Sequence, residues 1–168
     1  KLESIKRIAS NEVSAMGERL RMLVLTDYIK KENLSKIASA EEFNSVNIVS
    51  IFETFRRANL NVSIGVLSGS LVILPRSVDL SDIKHKKDDI ADTDYCTVEF
   101  AGALHRGVDY VGKLFEEGKI QILIGTKSLL GEGWDSPCIN SLILASFVGS
   151  FVLSNQMRGR AIRIDKND

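Results

Sequence analysis

The feature that most constrains this chain is a repeated switch between two periodicities, in which segments at helical spacing give way to short, unbroken apolar runs. Leu2, Ile5, Ile8, Val13, Met16 and Leu20 recur near every third or fourth position with charged residues between them, the pattern of a helix with one apolar face. Arg21-Met22-Leu23-Val24-Leu25-Thr26 follows at once, apolar without alternation. A strand reads this way when both its faces are buried, as in a parallel sheet covered by helices. The switch then recurs. Ile48, Ile51, Phe52 and Phe55 place a helix within 46–59, and a strand follows at 62–67.

Ser68-Gly69-Ser70 marks a turn, 71–74 a short strand that Pro75 ends, and 96–100 an alternating strand. Between them, 77–94 carries six Asp, three Lys and one His and reads as a solvated excursion with one short helical turn. Val108, Val111, Leu114 and Phe115 give a third helix with Gly118 as its C-terminal cap. Strands are expected at 120–124 and 141–145, a loop and turn at 125–137, a loop and helix start at 146–155, and a last helix at 156–163. Such alternation predicts one α/β domain over 1–168, with a mainly parallel sheet and helices on both faces. Sites in these sheets form at the carboxyl ends of strands, which directs attention to Thr26-Asp27, Leu67-Ser68-Gly69, Thr126-Lys127-Ser128 and the loop after Ala145.

Composition removes several alternatives. Lys plus Arg and Asp plus Glu number 22 each, so a polyanion site must be local. Cys96 and Cys138 lie apart, without the spacing of a metal site or a disulfide framework, and read as structural thiols in a reducing compartment. No metal-ligating set is expected. The start of the chain lacks the apolar stretch of a secretory signal and no run approaches a membrane span, so the expected location is cytoplasmic. A first residue other than Met and an untapered end suggest a piece of a larger protein. Only His85 and His105 are present, one in the charged excursion and one at a helix start, which leaves no nucleophile–histidine constellation.

Three motifs carry chemistry or imitate it. Gly107-Val108-Asp109-Tyr110-Val111-Gly112-Lys113-Leu114 fits GxxxxGK, but Leu114 stands where a magnesium-binding Ser or Thr belongs and the segment already has helical spacing. It is a decoy. Gln156-Met157-Arg158-Gly159-Arg160-Ala161-Ile162-Arg163, as a helix, sends Gln156, Arg160 and Arg163 from one face. Two guanidiniums side by side repel unless a polyanion lies between them, and forked, permanent cations suit the γ-phosphate of a nucleotide. Upstream, Gly125-Thr126-Lys127-Ser128-Leu129-Leu130-Gly131-Glu132-Gly133-Trp134-Asp135-Ser136-Pro137 combines hydroxyls and glycines after a buried strand, where backbone and side chain can reach phosphates. Asp135 could accept hydrogen bonds from a ribose.

On these residues the chain resembles the second RecA-like motor domain of superfamily-2 helicases and translocases. The segment 120–137 resembles motif V, and its LLxEGxDxP string at 129–137 is similar to the branch containing the excision-repair damage-verification helicase. Residues 156–163 resemble motif VI, Leu23-Val24-Leu25-Thr26-Asp27 motif IV, and Leu67-Ser68-Gly69 the strand end that follows it. The resemblance implies a three-layer RecA-like fold, with ATP and Mg2+ held mainly by an N-terminal RecA-like domain of the same polypeptide. It implies γ-phosphate contacts from Arg160 and Arg163 with Gln156 assisting, and Gly131, Gly133 and Asp135 near the nucleotide. Thr126, Lys127, Ser128, Thr26, Ser68 and Gly69 would contact the backbone of a nucleic-acid strand, DNA ahead of RNA. Residues 70–103 exceed the family's usual short connection and read as an insertion. The expected activity is nucleic-acid-stimulated ATP hydrolysis by the full polypeptide, with this piece alone inactive. The rivals are a non-catalytic adaptor of the same fold and a small-molecule α/β enzyme.

Overall fold

The computed structural model describes residues 2–26, 46–130, 136–146, 149–154 and 162–165; for Ser128, Ser146, 149–154 and 162–165 it describes the backbone path alone. The chain opens with α1 (Leu2–Met16), a 3-10 turn at Gly17–Arg19 and β1 (Met22–Thr26). There follow α2 (Ile48–Arg57), β2 (Ile64–Leu67), β3 (Val72–Pro75), β4 (His85–Asp89) and β5 (Tyr95–Phe100). The remainder is α3 (Leu104–Glu116), β6 (Ile122–Thr126), α4 (Lys127–Leu130), β7 (Ser141–Ser146), β8 (Gly149–Ser154) and β9 (Ile162–Asp165).

Among the described residues nine strands join one sheet in the order β4-β5-β3-β2-β6-β1-β7-β8-β9. Only β2–β6, β6–β1 and β1–β7 are parallel; the other five neighbouring pairs are antiparallel. The α/β class stands, but the sheet is mixed where a mainly parallel one was expected. Connection length explains the difference, because a parallel neighbour needs a crossover of a dozen or more residues while a tight turn can only reverse the chain. The Ser68–Leu71 turn closes with Ser68 N–H donating to Leu71 O at 2.9 Å. After β7 the chain reverses again, pairing Ser146 with Gly149 and Ser141 with Ser154.

The unbroken apolar strands divide their side chains between two cores. Met22, Val24, Ile64, Val66, Ile122 and Ile124 pack with Ile5 and Ala9 of α1 and with Phe52 and Phe55 of α2. Leu23, Leu25, Leu67 and Leu123 pack on the opposite face with Val111, Leu114 and Phe115 of α3. Helices therefore cover both faces, and each fully buried Phe contributes about 1.5–3 kcal/mol. Two local devices place the helices. Asn47 Oδ1 accepts from Val49 N–H and Ser50 N–H while Ser50 Oγ accepts from Asn47 N–H, a capping box that starts α2. Gly118, at φ +80°, ends α3 in a left-handed conformation that a side chain would strain. Glu53, fully buried on α2, is ion-paired with Arg56 and lies 3.9 Å from Arg57.

Residues 70–103, expected as an insertion, build an antiparallel annex of β3, β5 and β4 on one flank of the parallel core. The excursion at 77–94 is solvated as expected, yet it contains the strand β4 where one helical turn was anticipated. Its His-Lys-Lys-Asp-Asp sequence lacks an apolar signal because the strand lies at the sheet edge, largely exposed. The annex is anchored by the Phe52 and Tyr95 rings, edge to face with centroids 5.1 Å apart.

Candidate functional site

The parallel core lines up three strand ends. Thr26 of β1 stands opposite Thr126 of β6, and Leu67 of β2 opposite Gly125, so Ser68 follows in line beside Thr126. On the other side Leu25 pairs with Leu144, which brings Ala145 next to Thr26. The carboxyl edge thus reads Ser68, Thr126, Thr26, Ala145 across adjacent strands about 4.8 Å apart. The three hydroxyl residues are 2%, 6% and 2% exposed. The chain leaves β6 directly into α4, whose Leu130 joins the α3 core, whereas after β1 it returns as α2 in the α1 core. In α/β sheets the carboxyl ends of such adjacent strands are the usual ligand position.

Gly125 makes the close approach here. A Cβ at this position would overlap Leu130 Cδ1 and lie 3.0 Å from the carbonyl oxygen of Leu67. Its absence lets Leu130 seat α4 against β6 and holds half-buried Lys127 directly beyond Thr126. On the other side of β6, the Ser68 hydroxyl donates to Leu71 O at 3.1 Å and accepts from Leu71 N–H at 2.9 Å. It is committed to its turn, so the turn presents outward the exposed Gly69 and Ser70. Asn47 likewise spends its side chain on the first amides of α2.

The structure therefore brings Thr26, Ser68, Gly69, Thr126 and Lys127 together at one edge, with the Ser128 backbone in α4. Gly131, Gly133, Asp135, Gln156 and Arg160 lie outside the described residues. Arg163 does not follow expectation. It sits on β9, not on a helix, opposite Val152, which opposes Ile143, which opposes Val24. That level is two residues short of Thr26 and three strands away from β1. The single-face argument for Gln156, Arg160 and Arg163 accordingly fails at Arg163, because Ile162-Arg163-Ile164-Asp165 alternates at strand period and completes the pairing of β8. Likewise β8 replaces the loop and helix start expected at 146–155.

The GxxxxGK string lies within α3, where Gly107 and Gly112 are buried. A helix interior has no loop to wrap a phosphate, so the decoy reading holds. Burial raises the Cys96 thiol above its ordinary value, and Cys138 Sγ lies 3.0 Å from Ser136 Oγ. His85 Nδ1 lies 2.7 Å from Ile83 O, and His105 is exposed at the start of α3. Among the described residues no cluster of His, Cys, Asp or Glu is placed to hold a metal ion, and no helix is long and apolar enough to cross a membrane. Sequence reasoning missed the Asn47 capping box, which was legible as an Asn directly before a helical apolar repeat. Compared with protein-family models, with curated proteins and with solved structures, the chain matches none.

Proposed function

We propose that this chain is the second, RecA-like motor half of an ATP-driven nucleic-acid helicase or translocase. The observation that carries the reading is the row Ser68–Thr126–Thr26 at the carboxyl edge of the parallel core, assembled from three segments that resemble the family's motifs in the same chain order. The exposed Gly69 and Ser70 beside the Thr126 and Thr26 strand ends suit contacts to a sugar-phosphate backbone, which position a strand without reading its bases. That matches the balanced charge of the chain, since the polyanion contact is confined to one edge. With the only GxxxxGK string inside α3, ATP and Mg2+ fall to the N-terminal domain of the same polypeptide. ATP supplies the phosphoryl-transfer energy there. Arg160 and Arg163 would present guanidiniums to the γ-phosphate, with Gln156 beside them and Gly131, Gly133 and Asp135 near the nucleotide.

ATP hydrolysis by the full polypeptide, measured with and without single- and double-stranded DNA and RNA, tests this. Nucleic acid should stimulate turnover, Arg163→Ala should lower stimulated kcat by about 10³-fold or more, and Thr126→Val should weaken strand binding about 10-fold. Absence of stimulation by every polymer would sink the motor reading. The strand position of Arg163, below the carboxyl edge, favours a second reading: a non-catalytic adaptor that keeps the nucleic-acid edge. In that case Thr126→Val still weakens strand binding, while Arg163→Ala changes nothing.

A further inference from the structure

Among the described residues the annex ends in an open strand edge, with β4 last in the sheet order and paired only with β5. Ile90 N–H donates to Tyr95 O and Ala101 N–H to Lys84 O, each at 3.0 Å. Even-numbered residues of β4 therefore face β5, and by strand alternation His85, Lys87 and Asp89 direct their backbone N–H and C=O groups to the open edge. Charged residues on an edge ordinarily repel further pairing. Here, however, the signs are segregated along the strand as His85-Lys86-Lys87-Asp88-Asp89, and a segregated strand complements its own reverse.

We propose that β4 is a self-association edge that pairs with β4 of a second copy of this chain, antiparallel about a two-fold axis through Lys87. An antiparallel two-fold aligns residues whose side chains share a face, so only registers centred on a residue are allowed. Centred on Lys87, Lys86 meets Asp88 of the second copy, and His85 meets Asp89, each pair occurring twice. The Lys86–Asp88 pairs fall at the close, non-hydrogen-bonded spacing of about 4.5 Å, whereas the one like-charged pair, Lys87 with its copy, falls at the wider spacing of about 5.5 Å. Lys87 Nζ already donates to Arg76 O at 3.2 Å, and Asp89 lies 3.8 Å from Arg76. Lys86 and Asp88, both exposed, are the charges the second copy would engage.

The flanking strand agrees. Lys86 stands opposite Glu99 and Asp88 opposite Thr97, so one face of the joined sheet would run Glu99, Lys86, then Asp88 and Thr97 of the second copy. Charges alternate without a clash. Moving the centre to Asp88 would keep a Lys87–Asp89 pair, but would oppose the Asp88 carboxylate to its own copy at the close spacing and set Lys86 against Ile90. The register centred on Lys87 is the one that pairs both flanking positions with a carboxylate and leaves its like-charged pair at the wide spacing.

Sedimentation equilibrium of the 168-residue chain, at low and high salt, tests the proposal with a charge-swap set. Wild type should dimerise, more weakly at high salt. Lys86→Asp and Asp88→Lys, each placing like charges opposite each other twice, should each raise the dimer Kd about 10-fold or more. The double swap Lys86→Asp/Asp88→Lys should restore it, and a mixture of the two single variants should form heterodimers. Circular dichroism checks that each variant is folded, and the double swap guards against a single variant that is not. A wild type that remains monomeric to about 200 μM, roughly the concentration range in which weak dimers appear, overturns the proposal. So does a dimer that the single variants leave unchanged, or a folded double swap that stays monomeric.

Discussion

The four parallel strands and the three-stranded annex occupy one continuous sheet but solve burial in opposite ways. In β1 and β6 every residue is buried, because α1 and α2 cover one face and α3 the other. In β4 four of five residues are exposed, while β5 alternates in part, with Val98 buried and Glu99 exposed. Two covered faces turn a strand into an apolar run, one covered face into an alternating strand, and an open edge into a charged one. The lesson concerns cost as well as pattern. A cavity in the parallel core has packed atoms on every side, whereas the annex can relax toward solvent.

Phe52→Ala should separate the two regions most strongly. It empties a fully buried site in the α1–α2 core and removes the Tyr95 ring contact that ties in the annex, which should cost about 3–5 kcal/mol in urea denaturation. The half-buried annex residue Val72, changed to Ala, should cost less than about 1.5 kcal/mol by the same measurement. Equal losses would show that the annex is packed as tightly as the core.

Gly125→Ala comes next, at about 1–3 kcal/mol, since the added methyl meets both Leu130 and the Leu67 carbonyl. Its NMR shift changes should centre on α4 and Thr126 and leave β4 and β5 untouched. Shifts spreading into the annex would mean that the two regions are coupled through β2.

The smallest effect is a pH dependence from the annex side. Desolvation raises the Cys96 thiol above its ordinary value in the folded chain. The folded state therefore holds this proton more tightly than the unfolded state. Its contribution is complete below the unfolded value and is lost as pH rises from there through the folded value. The urea midpoint should fall between pH 8 and pH 10, and Cys96→Ala should flatten part of that fall. An unchanged slope would assign the whole effect to other groups, such as Tyr95, whose phenol burial also raises.

How far all this was legible in the sequence follows the same division. The runs 21–26 and 120–124 read directly as buried strands because their environment is uniform, although β6 continues through Gly125 and Thr126, and α4 follows, where a loop was expected. β4 could not, since its pairing rests on backbone hydrogen bonds that leave no apolar trace. At the candidate site, Thr26, Ser68 and Thr126 were identifiable as strand ends, but their alignment depends on register, which is a property of pairs. Arg163 was misplaced because the helical spacing of Gln156 and Arg160 outweighed the strand alternation of Ile162 and Ile164.

The central position of β1 has a consequence for how the chain is made. Met22 pairs with Ile122 on one side and Ser141 on the other, so the strand emerges about 100 residues before either neighbour, at synthesis rates of about 5–20 residues per second. During those seconds it can lie against α1 and α2 on one face, but neither of its neighbouring strands has yet emerged. A strand flanked on both sides in the finished molecule thus waits without its partners on the ribosome, and such long-range closure makes folding slow and dependent on protection from premature association.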